Sequence, residues 1–96
     1  SIRALGERFA AASLRGEKLH LAEEARYLLD LKGDAKGALA AAIENWSDQR
    51  EPRDALVLLQ AAAAAGDAKA AEPVLRWLRE SRFESPRLQR LASSLK

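Results

Sequence analysis

The sequence has no cysteine, no methionine and no threonine, and valine and isoleucine occur only twice each. Without cysteine there are no disulfides, no thiolate metal ligands and no thiol chemistry, and the redox compartment leaves no mark on the composition. With so few β-branched residues the chain has almost no supply for a β-sheet. Aromatics are scarce as well: Phe9, Tyr27, Trp46, Trp77 and Phe83. No apolar run approaches the roughly 20 residues that a membrane-spanning helix needs, and the longest alanine stretch, Ala61 to Ala65, is short and weakly apolar. No membrane insertion is expected. A strong charge imbalance is also missing. The 16 basic residues stand against 14 acidic ones, a net charge of +2, which describes an ordinary mixed surface.

What is present is alanine, 21 residues in 96, together with leucine. Both are strong helix formers, and a chain of this length makes one domain at most. The apolar residues recur at helical spacing throughout. Ile2, Leu5, Phe9 and Ala12 form a first stripe, and Leu21, Ala25, Leu28 and Leu29 a second. Leu39, Ala42, Ile43 and Trp46 make the third; Ala55, Leu58, Leu59 and Ala62 the fourth. Val74, Leu75, Trp77 and Leu78 make the fifth, and Leu88, Leu91, Ala92 and Leu95 the sixth. The reading is all-α: six helices with short connections, stacked as antiparallel pairs.

The punctuation has a period of its own. The tetrapeptide GDAK occurs at Gly33–Lys36 and again at Gly66–Lys69, 33 positions later. Each glycine follows a stripe, where a left-handed residue closes the last helical turn at little cost to glycine. Each aspartate comes next, placed to accept a hydrogen bond from the free N–H groups of the following helix. Pro52 and Pro86 open helices at the opposite junctions, 34 positions apart, where a missing N–H is harmless. Ala22 and Ala55, and Ala38 and Ala71, are again 33 apart. Elbows and prolines come from different parts of the unit, so their agreement makes the recurrence a repeat. Pro73 falls inside the fifth stripe, where its ring removes one backbone bond and crowds the carbonyl four residues back. A kink is expected there, with a helix restart at Pro73 as the alternative.

A helical hairpin of about 34 residues with a tight central turn and a proline near its end resembles the tetratricopeptide repeat. The stretch EEARYLLDLKGD…ENWSDQREPRDALVLLQAAAAAGD looks like the C-terminal repeats of uncharacterised bacterial proteins of that family. The resemblance implies an α-solenoid of about three helix pairs in a right-handed superhelix. Residues 1–18 would be a half repeat, 19–51 and 52–85 whole repeats, and 86–96 a terminal half repeat or cap. Ala38 and Ala71 would be the small residues that open the second helix of each unit. Ala22 and Ala55 stand where the family often has an aromatic, and Arg26 where it has a small residue, so the match is degenerate. In the family the first helices of successive units line a concave groove that takes a partner segment. That face would carry His20, Glu23, Tyr27 and Asp30, then Arg53, Leu56 and Gln60, then Arg87 and Arg90. Glu23 and Tyr27 occupy places where a carboxylate clamp would need lysine and asparagine, which argues against a clamp of that kind.

Catalytic and cofactor chemistry finds little footing. His20 lies near Glu23 and Glu24, but zinc sites usually need further ligands, and no second histidine exists. Gly33 and Gly37 lack the downstream Gly-Lys-Ser/Thr of a phosphate loop, and no serine has an evident histidine partner. No cofactor and no enzymatic activity is expected. Trp46 and Trp77 sit on apolar stripes and read as core, whereas Tyr27 points with Glu23 and Asp30 away from its stripe, where packing against the next unit's helix comes first and a peptide anchor with a polar rim is the other reading. The C-terminal arginines, Arg76, Arg79, Arg82, Arg87 and Arg90, are interspersed with Glu72, Glu80 and Glu84, which reads as a solvated helix face and not as a nucleic-acid surface. The expected partner is a protein or peptide. Self-association through Ile2, Leu5 and Phe9 at one end and Leu88, Leu91 and Leu95 at the other is the alternative. Serine stands first in place of methionine, which suggests a piece of a longer protein. The compartment, cytoplasm or periplasm, stays open.

Overall fold

The computed structural model describes residues 21–95. The first apolar stripe and His20 lie outside them. Each of the other five stripes coincides with one α-helix: α1, Leu21–Asp30; α2, Ala35–Asp48; α3, Pro52–Ala65; α4, Glu72–Ser81; and α5, Pro86–Ser94. A short 3-10 turn, Ala68–Ala71, precedes α4, and no strand occurs among the described residues.

The two GD elbows share a left-handed glycine and a capping aspartate, although α1 ends three residues before Gly33 while α3 runs directly into Gly66. Gly33 and Gly66 are left-handed, at φ 65° and 68°. The N–H of Asp34 turns back to the carbonyl of Leu28, and that of Asp67 to the carbonyl of Ala62. Both aspartates then cap the segment that follows, Asp34 accepting from the Gly37 N–H and Asp67 from the Ala70 N–H. Ser85 caps α5 in the same way, through the Leu88 N–H, with Pro86 in the first turn.

At Pro73 the helix restarts and does not kink. Pro73 has no N–H to offer the carbonyl of Lys69 and would crowd it in a regular α-helix. That carbonyl instead accepts from the Glu72 N–H, three residues on, which tightens Ala68–Ala71 into a 3-10 turn. The α-helix begins afresh at Glu72, with Pro73 in its first turn.

Helix α3 is the centre of the molecule, packing on α1, α2, α4, α5 and the 3-10 turn, while α2 packs on both α1 and α3. Ala25, Ala38, Ala42, Ala55, Ala61, Ala62 and Ala71 are fully buried, so backbones approach closely over methyl groups, and Leu58, Leu59 and Val74 fill the space between them. Trp46 near the end of α2 meets Trp77 of α4 edge to face, with centroids 5.5 Å apart and an interplanar angle of 88°. Two apolar residues of the sequence reading sit elsewhere. Ile43 is 46% exposed, because Ala38, Leu39, Ala41 and Ala42 supply the buried face of α2. Leu88 is buried, with Leu91 and Leu95 only half-buried beside it, so the last stripe is not an open apolar edge.

Helix α4 ends on Arg82, a non-glycine residue in the left-handed region at φ 55°. An L side chain crowds its own carbonyl there. Arg82→Gly is expected to raise the unfolding free energy by about 1 kcal/mol, read as an upward shift of the urea midpoint with an unchanged slope.

Candidate functional site

Arg53, Leu56 and Gln60 recur at three- and four-residue steps along α3, on the side away from the buried Ala55, Leu58, Leu59 and Ala62. Arg53 extends into solvent, its side chain 74% exposed, with only a long ion contact of 3.8 Å to Glu51. Leu56 and Gln60 are half-buried. The Oε1 of Gln60 is cut off from solvent and has no hydrogen-bond partner, an unusual state for a buried acceptor. Helix α3 also packs on α1 and on α5.

On α1, Glu23 and Asp30 are exposed as expected, and Asp30 is held by Arg26 at 3.4 Å, one turn away. Tyr27 is withdrawn from solvent, in line with the packing reading. Only 5% of it is exposed, and it stands apart from the main core cluster. Its 33-residue counterpart is Gln60, whose Oε1 is likewise withdrawn from solvent. Tyr27 is therefore not exposed on the face that Glu23 and Asp30 share. On α5, Arg87 and Arg90 are exposed, and neither has an ion partner within 4 Å among the described residues. The faces thus run acidic on α1, mixed on α3 and basic on α5.

The other arginines do not extend this basic region into a stripe. Arg79 is bound to Glu72 at 3.0 Å and Arg82 forms the end of α4, which leaves Arg76 alone on that helix. Among the described residues no three His, Asp or Glu side chains converge as a metal ion would require, and no helix is long and apolar enough to cross a membrane.

Two polar features were missed by reading the residues in order. Asp54 is completely buried, accepting from Asn45 Nδ2 at 2.8 Å and from the Glu51 N–H at 3.0 Å. Its signal lay in Glu51-Pro52-Arg53-Asp54, an acid at the third helical position reaching back to the cap residue. The second is Glu24, whose carboxyl is raised above the ordinary 4.5 by burial and then by the charge of Glu44 on α2. A raised native value means the folded chain holds this proton to higher pH than the unfolded chain does. Its contribution to stability therefore falls as pH rises from the ordinary carboxylate range through the native value. Glu24→Gln is expected to stabilise the fold at pH 7 by less than about 1 kcal/mol, since solvent still reaches the side chain. The gain should shrink towards pH 4, and urea titrations at the two pH values check the sign.

Compared with protein-family models, with curated proteins and with solved structures, the chain matches none.

Proposed function

We propose that the chain is a tetratricopeptide-like α-solenoid segment acting as a non-catalytic protein-interaction scaffold. The observation that carries the reading is the packing of α1 on α3 and of α3 on α5, first helix on first helix, across two hairpins with matching elbows. The Trp46–Trp77 contact supplies the corresponding link between second helices. Each hairpin then buries its apolar side only against its neighbours, so stacked units supply the core and a continuous face together.

The proposed partner is an extended or helical segment lying across α1, α3 and α5. Glu23 and Asp30 would meet basic residues at one end, Arg53, Arg87 and Arg90 acidic residues at the other, and Leu56 and Gln60 the middle. Half-buried Leu56 between charged rims has the make-up of a small recognition surface. The test is selection of peptides from a displayed random library on the wild-type chain and on Arg53→Glu/Arg87→Glu. Enriched peptides should carry an acidic end and lose about tenfold or more in affinity on the reversed surface. Equal binding to both proteins would remove this face from the proposal.

A further inference from the structure

Laying the second helical segment of one hairpin over the other at the 33-residue offset of the elbows gives a close match in burial. Ala38 and Ala71, Ala41 and Val74, and Ala42 and Leu75 are buried in both, and Ile43 and Arg76 are exposed in both. The difference concentrates at two places. Leu39 and Trp46 are buried on α2, while their counterparts on α4, Glu72 and Arg79, are exposed. Leu39 and Trp46 are two helical turns apart on one side of α2, and Trp46 is the residue that Trp77 of the next hairpin covers. Trp46, at one end of that row, is thus the point at which α2 meets α4.

We infer that α4 presents a closed end face, in which the Glu72–Arg79 ion pair stands where α2 has apolar Leu39 and the Trp46 that the following hairpin covers, and so excludes a further stacked helix, a second copy of this chain included. The inference rests on the stacked arrangement proposed above but not on the peptide-binding face. Glu72 and Arg79 join at 3.0 Å across the same two turns, with side chains 51% and 58% exposed. In water such a pair adds little to stability. Its consequence lies in what it forbids. A helix laid over it, as Trp77 lies over Trp46, would strip solvent from both charges, and their mutual attraction does not offset that loss. Stacked repeats need a polar outer face at their ends to stay dispersed. Helix α5 fits the same arrangement, packing on α3 through Leu88 and Ala92 while turning Arg87, Gln89, Arg90, Ser93 and Ser94 to solvent.

The test restores the α2 pattern on α4 in the full chain, as Glu72→Leu/Arg79→Trp, with Arg79→Leu alone as a milder form. The control, Ala40→Leu/Ser47→Trp, adds apolar surface at the same two-turn spacing to exposed positions of α2 away from the row. Circular dichroism checks that each variant keeps wild-type helicity, and sedimentation velocity is followed from micromolar to millimolar protein. The wild-type chain and the control should remain monomeric. The restored row should self-associate about tenfold or more tightly than the control, with Arg79→Leu between them. A monomeric restored variant, or a control that associates equally, overturns the inference. So does a wild-type dimer that Arg79→Glu abolishes. Peptide affinity is no part of this readout, so failure of the end face and failure of the groove are told apart.

Discussion

Replacing Asp54 with alanine is expected to lower the unfolding free energy by about 3 kcal/mol, a large share of what a domain of this size possesses. The carboxylate is wholly buried and ties the end of α2 to the start of α3, through Asn45 Nδ2 at 2.8 Å and the Glu51 N–H at 3.0 Å. Its place in the first turn of α3 also sets a negative charge against the positive end of the helix dipole. Alanine removes the acceptor and leaves the buried Asn45 amide without a partner, which costs more than the bond itself contributes. Asn45→Ala should cost about 2 kcal/mol by the converse route, leaving a buried carboxylate with one of its two bonds. Because the two side chains are partners, the double variant should lose less than the sum of the single losses. Urea denaturation of the four proteins measures that coupling, and the Asp54→Ala melting temperature should fall by about 10–20 °C. Additive losses would show that the two residues act separately.

How much of this was legible in the sequence depends on how local the cause is. The elbows could be read outright, since a left-handed glycine followed by a capping aspartate is decided by a few neighbouring atoms. The restart at Pro73 needed one thing more, namely where the orphaned carbonyl of Lys69 would find its donor, and the answer came from the adjacent Glu72. The buried side of α2 was harder. From Ala38 to Ile43 every residue is apolar, so periodicity could not say whether Ala41 or Ile43 turned inward. For Tyr27 the sequence left packing and anchor side by side, because burial depends on what lies on the far side of its helix. Asp54 was passed over for the ordinary reason that a carboxylate belongs in water; only the donors gathered around it reverse that preference. On the candidate face, the exposure of Glu23, Asp30, Arg53, Arg87 and Arg90 was readable because charge keeps long side chains in solvent. The withdrawal of Gln60 from solvent was not.

Leu58→Ala and Leu59→Ala should each destabilise the fold by about 3–4 kcal/mol, while Leu56→Ala costs about 1 kcal/mol or less. Leu58 and Leu59 are among the largest fully buried side chains, on the one helix that touches every other element among the described residues. Truncating either removes apolar burial and leaves a cavity that five converging elements cannot collapse at once. The alanines around them make this worse, because short side chains have no rotamers with which to reach into the gap. Leu56 is half-buried and borders solvent, so water and the flexible Gln60 side chain can fill what it vacates. The contrast tests more than packing. A Leu56→Ala variant with nearly wild-type stability, measured by urea denaturation, but weakened for the peptides selected above would place Leu56 in the recognition surface. A loss as large as that of Leu58→Ala would make α3 core on both sides, and the partner segment would then have to be sought away from α3.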